Sequence, residues 1–170
     1  MNAWKRIGAF AIDWCVFAVW AGAVFAIAWF GQGGKPDWPA NPWLGQLVGF
    51  ALTTLPFGLY LALMEASRWQ ATVGKRCLGL RVVTLDGERP SLGRTVGRTT
   101  LKLLPWELGH VAPYQLIALA RDEQATPTWL MILVTVALAT AVWYAASLWS
   151  ASDRTPYDRP LGTRVVRVRA

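Results

Sequence analysis

At 170 residues the chain is long enough for one compact domain. It is 54% apolar and only 16% charged, against about 25% charged in an ordinary soluble domain, which argues against a soluble enzyme and against disorder. The net charge of +7 and the 11 tryptophans would suggest nucleic acid in a soluble protein. In so apolar a chain they suggest anionic lipid and membrane orientation instead, and no nucleic-acid partner is expected.

In chain order, Ile7 to Phe30 is a 24-residue run broken only by Asp13. Lys5 and Arg6 precede it, and Ala26-Ile27-Ala28 looks like a cleavage site. Signal h-regions, however, are about 7–15 residues long and uncharged, so the run is expected to persist as a membrane helix. Leu44 to Met64 gives 21 residues without a charge, and Thr128 to Ser150 gives 23 more. A crossing helix needs roughly 20, and these runs lack the alternation of a barrel. Within the second run, Thr53, Thr54 and Pro56 mark a kink, with hydroxyls satisfying freed carbonyls.

The segment 103–120 is apolar but holds Pro105, Glu107, His110 and Pro113. Charge decides between a crossing and a re-entrant segment. If it crosses, fifteen of the 17 basic residues share one side and only Lys35 and Arg121 lie opposite. If it does not, the five-Arg tail is translocated, against the positive-inside rule. Four crossings with both termini cytoplasmic are therefore expected. Trp29, Trp38, Trp43 and Trp129 would line the outer interface, and Trp4, Trp69 and Trp149 the inner one.

Residues 65–102 carry eight basic side chains. Leu80 to Thr84, the turn signal Asp86-Gly87 and residues 88–91 suggest a short hairpin. Ser91 suits a helix N-cap, and Arg94, Arg98 and Lys102 then recur every four residues as a lipid-facing basic stripe. Leu78-Gly79-Leu80-Arg81-Val82-Val83 returns as Leu161-Gly162-Thr163-Arg164-Val165-Val166. Two such Val-Arg strands on one membrane side can pair into a small sheet. The fold class is thus an all-α transmembrane helical bundle with a small cytoplasmic β element, a single membrane domain over 1–170.

Gly74-Lys75 does not complete a phosphate-binding loop, because Trp69 and Arg76 stand where that motif needs Gly and Ser or Thr. Cys15 and Cys77 offer no metal spacing, and a disulfide between them is not expected. No nucleophile with its base and no complete metal site is visible, so neither catalysis nor a cofactor is expected.

Arg6 with Asp13, the stretch from Gln70 to Val83 with Gly74, Lys75, Arg76 and Gly79, and the tail from Thr155 to Val166 resemble, in order, the signatures of the RDD family of bacterial membrane proteins. The resemblance spans nearly the whole chain. The arginine and two aspartates for which that family is named fall on Arg6, Asp13 and Asp158. Tyr157 stands where His is common, and Pro160 departs from the pattern. The resemblance implies a polytopic protein of the bacterial inner membrane, and it carries a loose association with transport, including cation–proton exchange.

Asp13 lies about two turns inside the first helix, where an uncompensated carboxylate costs about 2.5–3.5 kcal/mol at mid-bilayer. Arg6 is on the same face but about 10 Å away along the axis, so Arg98 is the better expected partner. Arg6, Asp13 and Asp158 then form a charged cluster that either passes a cation or proton or clamps the tail and loop to the first helix. Glu107 and His110, at i and i+3, share a helix face and form a candidate proton-relay pair. Two readings follow. One is a small transporter, or transporter subunit, for a monovalent cation, proton or small solute, working as a homo-oligomer. The other is a non-catalytic accessory protein that binds anionic lipid or a protein partner through its basic loop.

Overall fold

The computed structural model describes residues 3–34, 39–150, 152 and 154–168. Lys35, Trp38 and Arg169, which entered the charge and tryptophan patterns above, lie outside the described residues. Helix α1 runs Ala3–Gly31. Helix α2, Pro42–Gly49, continues through a π-helical turn, Phe50–Thr54, into α3, Leu55–Ala66. A short α4, Val73–Cys77, leads to strand β1, Leu80–Thr84. Helix α5 is Leu92–Arg121, α6 is Thr128–Ala146 with a 3-10 turn after it, and β2 is Thr163–Arg167.

Three stretches, Ala3–Gly31, Pro42–Ala66 and Thr128–Trp149, are long and apolar enough to cross a membrane, as the three long apolar runs predict. The fourth segment differs from expectation. Leu92–Arg121 forms no surface helix followed by a separate span, but one continuous helix of 30 residues, about 45 Å long at 1.5 Å per residue. Ser91 caps its start by accepting from the Arg94 N–H.

Prolines inside these helices orphan carbonyls, and neighbouring helices supply donors. Pro56 has no N–H for the Leu52 carbonyl four residues back; the Trp20 indole of α1 donates to it at 2.8 Å. Pro105 does the same to Leu101, whose carbonyl accepts from the Tyr144 hydroxyl of α6 at 3.0 Å. The predicted kink near Thr53 is the π turn, where the Leu55 N–H reaches the Phe50 carbonyl and the Thr53 hydroxyl donates to Gly49 at 2.6 Å.

Gly45 and Gly49 form a small-xxx-small face on which Tyr114 of α5 lies. A Cβ at Gly45 would stand 2.9 Å from that ring, and one at Gly49 would stand 2.1 Å from its hydroxyl. Since Arg98 near the start of α5 meets Glu65 at the end of α3, α5 runs antiparallel beside the whole α2–α3 unit.

The sheet is not the expected hairpin. Residues 88–91 form no strand, and β1 pairs antiparallel with β2, from Leu80↔Arg167 to Thr84↔Thr163. The repeated hexapeptide thus pairs with itself. Gly79 (φ +65°) accepts from the Val168 N–H, and Gly162 (φ +61°) accepts from the Leu85 N–H, at equivalent places in the two halves.

Polarity runs inside out. Asp13, Glu65, Thr72, Arg98 and Asp158 are buried, whereas Phe30, Val19 and Ile27 of α1 are 80%, 75% and 74% exposed. Water would penalise that arrangement and hydrocarbon would favour it.

Candidate functional site: a buried charge network

The end of α3, the start of α5, the α4 loop and the tail after α6 converge on one set of charges. Asp13 projects from α1 into the turn before α4. Its Oδ1 accepts from the Tyr60 hydroxyl at 3.0 Å and from the Gly74 N–H at 2.9 Å, and its Oδ2 accepts from the Thr72 hydroxyl at 2.6 Å. Gly74 is required by this approach, since a Cβ there would lie 2.0 Å from the Ala9 carbonyl oxygen. Thr72 also caps α4 by accepting from the Lys75 N–H.

From Thr72 the network continues through Lys75, whose Nζ lies 3.4 Å from the Thr72 hydroxyl and 2.9 Å from Glu65 Oε1. Glu65 Oε2 takes Arg98 Nη1 at 2.6 Å, and Arg98 Nε donates to Asp158 Oδ1 at 2.6 Å. The tail folds around Asp158: the Thr155 N–H and hydroxyl and the Thr163 hydroxyl all donate to its carboxylate. Glu65 and Asp158 are fully buried and Arg98 nearly so. Two acids face two bases, which is the condition for holding charge in a low dielectric. For Asp158, burial pushes the carboxyl up, but the Arg98 guanidinium and the Thr155 bonds outweigh it and hold it below its ordinary value. Tyr157 covers the assembly, its ring centroid 5.1 Å from the Arg98 guanidinium carbon. That is how the residue in the His-favoured position is used here.

Several placements differ from expectation. Arg98 pairs with Glu65 and Asp158, whereas Asp13 is held by neutral donors. Helix α5 carries Arg98 across the end of α3, and the Gly74 turn reaches Asp13 first. Asp13 and Asp158 therefore stand at opposite ends of a network and not in one cluster, while Arg6 lines the same cleft as Lys75 and Arg98. The basic stripe does not face lipid as a unit. Arg94 is exposed, Arg98 is buried, and Lys102 is half-buried with Nζ 5.3 Å from the Phe10 ring centroid. Glu107 and His110 share a face without bonding to each other: Gln46 donates to Glu107 Oε1 at 2.7 Å, and His110 lies edge-on to Trp106.

Of the loop signature, Gly74 and Lys75 belong to the network and Gly79 has the left-handed backbone that ends α4. Arg76 lies outside it, stacked over Trp69 at 4.2 Å. The central residue that sequence reasoning missed is Glu65. Its signal was its position, an acid immediately after an apolar run and just before a basic loop. Among the described residues, no group of three or more His, Cys, Asp or Glu could hold a metal ion.

The sequence profile of the RDD family matches residues 1–159. The chain belongs to the RDD family. Its three long apolar helices and this membership together point to a membrane protein. The chain is also similar to the uncharacterized protein YxaI of Bacillus subtilis (strain 168), with 52% identity over 40 residues, which is 24% of this chain and 26% of the relative. The chain thus matches about a quarter of that relative's length. No solved structure matches this RDD protein.

Proposed function

We propose that this RDD protein is a four-crossing protein of the bacterial inner membrane, with both termini cytoplasmic, that binds anionic lipid through its basic face and catalyses no reaction. The occupancy of the acids carries this reading. A cation or proton path needs carboxylates that face an opening, yet Glu65 and Asp158 are held in buried ion pairs and Asp13 accepts three neutral hydrogen bonds, while Glu107 takes Gln46 on Oε1 and keeps only Oε2 without a partner among the described residues. Transport is for that reason the weaker reading.

At the same end, Arg68, Arg81, Arg89, Arg94, Arg159 and Arg167 are exposed. Exposed arginines beside a membrane attract anionic headgroups by about 1 kcal/mol each. The fourth crossing is supported by α5 running antiparallel to α2–α3, so a membrane that contains one contains the other. Trp4 and Trp149 touch edge to face, with ring centroids 6.1 Å apart, which is consistent with both termini on one side.

Reconstituted protein with spin-labelled lipids tests the binding. Phosphatidylglycerol is expected to be enriched at the protein over phosphatidylcholine, with the preference falling as salt rises and in the Arg81, Arg89, Arg94→Gln triple variant. Proton-coupled cation flux in liposomes that disappears in folded Asp13→Asn would overturn the reading in favour of transport. Thiol labelling in cells tests the topology: Gln124→Cys should react from outside, and Cys77 only once the membrane is opened.

A further inference from the structure

Helix α5 packs against both α1 and α6, but α1 and α6 do not close on each other and leave a cleft of about 810 Å³, within the range of about 300–1,000 Å³ typical of small-molecule sites. Its walls are apolar: Phe10 and Trp14 of α1, Trp106 of α5, and Leu138 and Ala141 of α6. At one end four cations line it, namely Arg6, Lys75, Arg98 and Lys102. Lys75 and Arg98 are neutralised by Glu65 and Asp158. Lys102 has the Phe10 ring 5.3 Å from its Nζ and the Lys75, Glu65, Arg98 and Asp13 charges near it, but its Nζ makes no ion pair or hydrogen bond among the described residues.

We propose that this cleft holds a single anionic phospholipid, one acyl chain between α1 and α6 and the phosphate on Lys102. The site deepens the lipid-binding reading above and rests on it. An ammonium at the mouth of an apolar cavity is stabilised by an anion, and the cavity behind it gains contacts from apolar atoms that fill it. One amphiphile does both. A free phosphate would leave the cavity empty. A second copy of the chain would fill it but leave Lys102 unmatched: Thr128–Ala146 carries no charge, and the one acid of α1, Asp13, is buried. A net negative headgroup is selected because the ammonium of a zwitterionic lipid would meet the Lys102 ammonium with its phosphate already matched.

The test is native mass spectrometry of protein purified in mild detergent with equal phosphatidylglycerol and phosphatidylcholine. Wild type is expected to retain one phosphatidylglycerol per chain. Lys102→Gln should lower that retention at least about tenfold, as loss of one partner of a desolvated charge pair does, and should remove the discrimination between lipids. Ala141→Trp, which fills the cleft from an exposed position, should remove both lipids. The Arg81, Arg89, Arg94→Gln triple variant should retain the lipid as wild type does.

Equal retention in Lys102→Gln, no retained lipid in wild type, or a dimer in its place would overturn the cleft site. If spin-label enrichment at the basic face persisted in those cases, the surface reading would survive alone. A phosphatidylglycerol with a photoreactive chain gives a readout that needs no variant. Labelling of Trp106 and Ala141 supports the site, and labelling confined to the outer faces of α1 and α6 overturns it.

Discussion

Val82 and Val165 face each other at the centre of the two strands, and both belong to the apolar cluster that rests on Ala9 of α1. The bonds from Val168 to Gly79 and from Leu85 to Gly162 flank this pair, so it is a close, non-hydrogen-bonded pair with its side chains toward the helix. The sheet thereby docks both the loop and the tail onto the first helix, next to the turn that holds Asp13. A Val165→Ala substitution should cost about 1–3 kcal/mol and loosen the tail together with the loop. Hydrogen exchange is expected to show lost protection in both strands, not in β2 alone.

Gly74 and Gly79 sit five residues apart, at the start of α4 and just past its end, and their substitution should fail for different reasons. Gly74→Ala would place a Cβ against the Ala9 carbonyl oxygen and pull its N–H from Asp13. The expected loss is at least about 2 kcal/mol, because a buried charged acceptor loses a donor. Gly79→Ala meets open space and carries only the cost of φ +65°, about 1–2 kcal/mol. Thermal unfolding of the two variants in one detergent should rank them in that order.

Arg94 and Arg98 are one helical turn apart and test the network. Arg98→Met leaves Glu65 and Asp158 buried without their shared partner, which should cost about 3–5 kcal/mol. Arg94→Met alters an exposed residue and should change stability by no more than about 0.5 kcal/mol. Equal effects would mean that the buried pairs contribute nothing specific.

Tyr144→Phe removes the donor to the Leu101 carbonyl that Pro105 leaves free. Hydrogen bonds between membrane helices average about 0.6 kcal/mol, so a loss of that size is expected. In a Pro105→Ala background the helix supplies its own donor and the loss should vanish. A double-mutant cycle measures this coupling directly.

The Asp158 carboxyl titrates below its ordinary range because Arg98 and Thr155 outweigh burial. A folded pKa below the unfolded one adds stability that is complete above the unfolded value, about 3.9, and is lost as pH falls through the folded value. Tail docking should therefore survive at pH about 4 and release only in stronger acid. Thr155→Val, which removes one donor, should move release to higher pH. Protection of the β2 amides, corrected for intrinsic exchange, follows the transition.

Much of the architecture was legible because a bilayer imposes coarse rules. Run length located the three apolar helices, and the repeated Leu-Gly-x-Arg-Val-Val string pointed to the strand pairing that forms. The Asp86-Gly87 signal was stronger locally, yet residues 88–91 make no strand: beyond the single bond from the Thr84 N–H to the Glu88 carbonyl, Gln70 takes the Val82 N–H and carbonyl on that edge of β1, while the tail covers the opposite edge. The partners of the charges were not legible. Periodicity puts Arg94, Arg98 and Lys102 on one face but says nothing of where that face turns as α5 passes the end of α3. Glu65 was hidden for a related reason, since a charge at the limit of an apolar run reads as the end of the run. Gly45 and Gly49 carry a recognisable spacing, but only Tyr114 gives it a use.

The ion pairs also impose an order of assembly. Glu65 emerges during synthesis well before Asp158, at a lag of roughly 5–20 s at ordinary elongation rates. Until the last segment arrives, Arg98 has one of its two anions and the tail has no anchor. An interrupted chain therefore carries a half-matched arginine near its membrane surface, whereas a finished one conceals it. The same contacts that hold the protein together mark whether its synthesis has been completed.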